Sequence, residues 1–279
     1  MATPQEEVRR TLPSVVDIAY EQYKRDLPRY RLTEDLMSRN ISTTNPEASL
    51  EEAARLMGER HIGSLIVVKY QTPVGIVTER DLLSKVVAYG LLLKDEKVEQ
   101  VMSYPLIGVS PAAKIKEAAK VMTSHKGRLA VFDAGKLVGV ITASDLIKSL
   151  PDVPETEVKI DTVMTKEVVT ADEEASVLSV ARVLGQKRIG SVIVTHKEEP
   201  FGIFTERDLL TNFLAKGKDL FTEVGDKCSQ PLIVVEAGIS AHRAAATMAL
   251  RHIRRLPVVK SGKLVGIVTA RDLVEAYAK

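Results

Sequence analysis

Four threonines stand three residues ahead of four aspartates: Thr78 and Asp81, Thr142 and Asp145, Thr205 and Asp208, Thr269 and Asp272. Taken singly, such a pair reads as a helix cap, with the hydroxyl on the first amides and the acid favoured by the dipole. Each pair, however, follows a glycine and two apolar residues, so a hydroxyl, a carboxylate and a helix start recur at one kind of strand-to-helix corner. That set suits a nucleotide. A carboxylate accepts from both vicinal hydroxyls of a ribose, and free N–H groups at a helix start favour phosphate.

Arginines stand beside the corners. Arg80, Arg207 and Arg271 directly precede their aspartates, where the second copy has Ser144. Arg128 and Arg255 lie fourteen residues ahead of their threonines, at the place held by Ser64 and Ser191 in the other two copies. A guanidinium fork matches phosphate oxygens, although any one of these arginines is equally a solvated strand or helix end. An adenine needs an apolar slot, for which Ile107, Val169 and Ile233 are candidates at corresponding places on the first strands, with core packing the competing role. The first copy departs there with Ser42.

The elements that position these residues repeat with them. The corner threonines are spaced by 64, 63 and 64 residues, and a shift of 127 residues overlays HIGSLIVV from His61 on RIGSVIVT from Arg188. Repeats one and three are siblings, as are two and four, where RLAVF from Arg128 overlays RLPVV from Arg255. Each repeat opens with a short β-like stretch. A helix with an i, i+3, i+4, i+7 apolar face follows: Leu50, Ala53, Ala54, Met57; then Ile115, Ala118, Ala119, Met122; then Val177, Val180, Ala181, Leu184. Two apolar β-rich runs come next, in the fourth repeat separated by Ser261-Gly262, a hairpin signal. The expected unit is strand, helix, strand, strand, helix in an α/β (α+β) fold. Units of this size bury too little surface alone, so they should pack in pairs.

Pairing neighbours predicts a module at 32–150, with repeats at about 32–90 and 97–150, and another at 156–279, with repeats at about 158–216 and 222–279. The proline-bearing stretch Leu150 to Pro154 reads as the linker. Residues 1–31 stand outside as an extension expected to be helical.

Composition narrows the function. With 45% hydrophobic and 27% charged residues the chain is of globular type, and a net charge of +2 supplies no broad field for polyanions. The single cysteine, Cys228, excludes an intramolecular disulfide framework and a multi-cysteine metal cage. No apolar run reaches the length of a membrane span, and the start has no signal-peptide core; a cytoplasmic protein is expected. No P-loop, GxSxG or metal-ligand spacing accompanies the corners, which argues against an enzyme.

The phrase G-h-h-T-x-x-D, with h apolar, repeated at this period resembles the CBS domain family, whose two-copy form is called a Bateman module. The likeness runs from about Leu32 to Ala278, and the plan is similar to stand-alone four-repeat archaeal proteins and to the gamma subunit of AMP-activated protein kinase. It implies a disc of two Bateman modules binding AMP, ADP or ATP in clefts between paired repeats. The aspartates would hold ribose, the threonines ribose and phosphate, and Arg80, Arg128, Arg207, Arg255 and Arg271 phosphate. His252 to Pro257 resembles the family's basic stretch, with Arg255 in the phosphate-binding place and Lys126-Gly127-Arg128 as its diverged counterpart. The expected protein is a non-catalytic sensor without a cofactor, acting on a protein target in trans and able to form a homodimer. An S-adenosylmethionine-type ligand, or a scaffold with weak nucleic-acid binding, is the alternative.

Overall fold

The computed structural model describes residues 31–124, 127–152 and 158–279. The extension up to residue 30 and residues 153 and 154 of the expected linker lie outside the described residues.

Each repeat builds one three-stranded sheet whose short first strand runs parallel to the second, which pairs antiparallel with the third. The first repeat contains α1 (Thr33–Leu36), β1 (Thr43–Thr44), α2 (Leu50–Glu59), β2 (Ser64–Lys69), β3 (Thr72–Thr78) and α3 (Glu79–Lys85). The second contains α4 (Val98–Val101), β4 (Gly108–Val109), α5 (Ile115–Ser124), β5 (Arg128–Asp133), β6 (Lys136–Thr142) and α6 (Ala143–Leu146). The third contains β7 (Thr170–Asp172), α7 (Val177–Lys187), β8 (Ser191–His196), β9 (Glu199–Thr205) and α8 (Glu206–Asn212). The fourth contains β10 (Val235–Glu236), α9 (Ala241–Arg251), β11 (Arg255–Lys260), β12 (Lys263–Thr269) and α10 (Ala270–Ala278). This is the strand, helix, strand, strand, helix order expected, preceded in each repeat by a short helical leader.

The apolar faces of α2, α5 and α7 are buried at the positions the periodicity marked. Ser49, Ser176 and Ser240 cap α2, α7 and α9 through their side-chain oxygens. Ser261-Gly262 is a two-residue hairpin with both φ angles positive, 52° and 78°, the geometry whose twist suits the flanking strands. Tyr70-Gln71 and Lys197-Glu198 adopt the same conformation without glycine, which local turn chemistry alone does not announce.

Contacts divide the chain into two compact units, each assembled from separated stretches. Of the described residues, one unit comprises those from Arg31 to Asn40, within Ile107–Val168 and within Ile233–Lys279, and so holds repeats two and four; the other comprises Ile41–Leu106 and Val169–Leu232, and so holds repeats one and three. These are called the even and odd units below. Sequence neighbours are tied by an exchange of leaders. Within the even unit, Ser38 from ahead of repeat one bridges Val140 of β6, and Thr165 from ahead of repeat three bridges Ile267 of β12. Within the odd unit, Ser103 bridges Ile76 of β3 and Ser229 bridges Ile203 of β9.

The exchange explains the glycine that opens each corner phrase. A Cβ on Gly139 would lie 2.6 Å from Met37 Sδ, and one on Gly266 2.5 Å from Met164 Sδ. Met102 and Cys228 occupy the same place against Gly75 and Gly202. Any larger residue would have to displace that side chain and crowd the leader backbone, whose carbonyls lie 2.9 to 3.3 Å from such a Cβ.

In the even unit a single core joins both repeats, including Leu129, Ile141, Leu146, Leu256, Val268 and Leu273. In the odd unit the two repeats keep separate clusters that exchange residues: Leu210 of α8 lies in that of the first repeat, Leu83 of α3 and Val87 in that of the third.

Candidate functional site

The corner is built the same way four times. A strand ending in threonine meets a helix whose third residue is the aspartate, and the aspartate Oδ2 accepts from both the threonine amide and its hydroxyl. The distances are 3.1 and 2.6 Å for Thr78 to Asp81, and 3.0 and 2.7 Å for Thr142 to Asp145. They are 2.9 and 2.7 Å for Thr205 to Asp208, and 2.7 and 2.8 Å for Thr269 to Asp272. Threonine is therefore occupied in aiming the carboxylate, whose Oδ1 is the atom left to differ between corners.

The helix starts have less to offer a phosphate than their sequence suggests. The first amides, of Glu79, Ala143, Glu206 and Ala270, donate to the carbonyls of Gly63, Gly127, Gly190 and Arg254. Those of Asp81, Asp208 and Asp272 donate to the threonine hydroxyls.

Strand register confirms the second arginine set as equivalent positions. Arg128 stands opposite Thr142 and Arg255 opposite Thr269, as Ser64 does opposite Thr78 and Ser191 opposite Thr205. The even unit thus has an arginine opposite each of its corner threonines where the odd unit has a serine.

The first arginine set behaves differently. Arg80 of α3 makes a bidentate pair with Glu206 of α8, at 2.8 and 3.2 Å, and Arg207 of α8 pairs with Glu79 of α3 at 2.9 Å while its Nη1 donates to the His61 carbonyl at 2.7 Å. The acids are almost wholly buried, with side chains 6% and 4% exposed. Burial works against the Arg80 charge, but Glu206, with Glu79 and Asp81 nearby, outweighs it and holds the guanidinium above its usual pKa. A phosphate at either arginine would have to compete with a desolvated carboxylate. In the even unit the positions of Glu79 and Glu206 are Ala143 and Ala270. Arg271 there turns to Glu275 on its own helix at 2.7 Å and reaches the Thr123 carbonyl at 3.5 Å.

The aspartates differ through the next helical turn. Lys85 pairs with Asp81 Oδ1 at 3.0 Å and Lys148 with Asp145 Oδ1 at 3.2 Å. The corresponding residues of repeats three and four are Asn212 and Glu275. Burial pushes the Asp272 carboxyl above the ordinary range, with Glu275 adding to that, against the lowering bonds from Thr269 and the charge of Arg271.

The candidate base-pocket residues lie where the first strands begin. The Ile107 carbonyl accepts from Ala130 at 2.9 Å and that of Val169 from Ile193 at 3.0 Å. At the same place in the fourth repeat stands Pro257, which has no N–H, so the Ile233 carbonyl receives no such bond. All three side chains pack against hydrophobic clusters.

Sequence reasoning missed Glu79, Glu206, Lys85 and Lys148. The signal for the acids was present: repeats one and three share Thr-Glu-Arg-Asp, whereas two and four have Thr-Ala before Ser144 or Arg271. Among the described residues no cluster of metal-binding side chains occurs, and no helix is long and apolar enough to cross a membrane.

Comparison with known proteins adds a family to this geometry. The CBS domain model matches residues 33–88, 98–152, 159–215 and 223–279. An uncharacterized protein of Methanopyrus kandleri is 38% identical over 121 residues, 42% of this chain and 62% of the relative. One of Methanocaldococcus jannaschii is 29% identical over 264 residues, 88% of this chain and 61% of the relative. The chain thus spans about three fifths of the length of these curated relatives. A solved protein of Methanocaldococcus jannaschii, proposed as an archaeal homolog of g-AMPK, shares the fold with TM-score 0.73 at 22% identity, covering 89% of this chain and all of that one.

Proposed function

The chain belongs to the CBS domain family, and from that premise we propose that it is a non-catalytic regulatory protein whose corner aspartates hold the ribose of AMP, ADP or ATP. The observation that carries the proposal is the fourth corner. There the Thr269 amide and hydroxyl fix one oxygen of Asp272, no lysine pairs with the other, and Arg255 stands across the strand pair from Thr269. A ribose donates two hydroxyls to such a carboxylate, and a guanidinium beside it suits the phosphate. The Ile233 carbonyl, to which Pro257 cannot donate, favours a base edge that donates, as the adenine amine does.

Regulation follows if the nucleotide binds two states of the protein unequally. The regulated activity would reside on another chain, and the setting would be the cytoplasm. Support for a sensor comes from the family membership, from the fold shared with the proposed g-AMPK homolog, and from corners built to aim carboxylates rather than to activate a nucleophile.

Thermal unfolding of nucleotide-stripped protein with AMP, ADP, ATP and S-adenosylmethionine tests the proposal. A ligand at a hundred times its dissociation constant stabilises by about 2.7 kcal/mol. A shift with the nucleotides that Asp272→Ala removes is expected. A shift with S-adenosylmethionine alone would replace the ligand, and no shift with any would leave a scaffold.

A further inference from the structure

The two halves of the duplicated sequence differ in charge one helical turn beyond the corner aspartate. In the first half that turn carries a lysine, in the second Asn212 or Glu275. Lys85 is held at two points: its Nζ pairs with Asp81 Oδ1 and donates to the Val101 carbonyl at the end of α4, the exchanged leader. The Asp81 side chain is only 8% exposed, so both of its oxygens are spent inside the protein. Lys148 does the same for Asp145 Oδ1 at 3.2 Å, at a more open corner where the carboxylate side chain is 21% exposed. At the fourth corner the equivalent Glu275 takes Arg271 as its partner, and no cation on that turn reaches Asp272.

An ordinary pair four residues apart on a helix is weak and leaves its carboxylate accessible to water. At the first corner the acid is desolvated and the ammonium also caps a leader, and at both corners a ribose hydroxyl must displace a charged donor to reach Oδ1. A neutral hydroxyl is the poorer partner for a buried carboxylate.

We infer that Lys85 and Lys148 are built-in occupants that close the first and second corners to ribose, leaving the fourth corner open to the nucleotide. The inference rests on the proposed role of the aspartates as ribose ligands. It makes Lys85 and Lys148 specificity determinants that set how many nucleotides one chain takes up. It further predicts that the more open second corner yields to high nucleotide concentration before the first.

Exchanging the residues between siblings provides the test. Nucleotide-free parent chain, Lys85→Asn, Lys148→Glu and Glu275→Lys are titrated with AMP by calorimetry, each variant first checked for cooperative unfolding. Removing a lysine should add a binding event per chain, and Glu275→Lys should remove the one at Asp272. Glu275 is a half-exposed surface residue, so that variant keeps the test usable if loss of Lys85 loosens the leader. Binding by the parent with the same stoichiometry in every variant overturns the lysine closure and leaves the nucleotide proposal standing. Absence of binding in the parent and all variants overturns both.

Discussion

The odd unit joins its corner helices through charge, whereas the even unit places alanines at the same positions. Glu79 and Glu206, buried at the starts of α3 and α8, each take the arginine of the other helix. Their counterparts are Ala143, packed against the even core, and Ala270, buried within it. The even unit instead carries Arg128 and Arg255 on its strands, where the odd unit has serines. One phrase, repeated four times, therefore stands in two settings: helix-to-helix ion pairs in repeats one and three, and a strand arginine opposite the corner threonine in repeats two and four. An arginine next to a ribose-type aspartate says little about phosphate until its partner is known.

The largest expected break in this contrast comes from the buried acids. Glu206→Ala leaves Arg80 without its bidentate partner. Because the Arg80 side chain is 41% exposed, the cost should be about 2 kcal/mol, below the 3–5 or so of a fully buried pair. Arg271→Ala removes the half-exposed pair of the even unit and should cost about 0.5 kcal/mol or less. Denaturant unfolding of both variants checks the pair, and equal losses would erase the distinction between brace and surface contact. A double-mutant cycle sharpens it: coupling between Arg80 and Glu206 should reach about 1 kcal/mol or more, against about 0.3–0.5 for Arg271 and Glu275.

Acidity probes the fourth corner. A carboxylate whose folded pKa is raised binds more protons when folded than when unfolded, so it erodes stability as pH climbs from its ordinary value of 3.8 through the raised one. Asp272→Asn lacks that loss. The variant should gain on the parent as pH rises across this window and then hold a constant advantage, measurable by unfolding at a series of pH values. A variant that loses ground with rising pH would mean the carboxylate is stabilised by its surroundings.

The smallest effect belongs to the leaders. Cys228 meets Gly202 where the other three corners use methionine, so Cys228→Met should change stability by no more than about 0.5 kcal/mol. A much larger loss would show that the third dock has a shape of its own.

Much of this architecture was legible from residue order. The threonine spacing marked the repeats, the 3.6-residue periodicity marked the buried faces of α2, α5 and α7, and Ser261-Gly262 marked a hairpin. The leader exchange was not legible, because a segment such as Met37-Ser38 carries no local trace of which repeat it will bridge. The Arg80–Glu206 pair escaped for a similar reason: a glutamate at a helix start looks solvated until a second helix, 126 residues away, closes over it. The corners themselves were readable in composition but not in occupancy, since Lys85 and Lys148 look like ordinary helix-end cations.

Calorimetric titration of AMP into Asp272→Ala and Asp81→Ala bears most directly on the claim that the fourth corner is the principal nucleotide site. Loss of the tightest binding event in Asp272→Ala, with that event retained in Asp81→Ala, is the result the account predicts. Unchanged binding in Asp272→Ala, or its loss in Asp81→Ala alone, would contradict it.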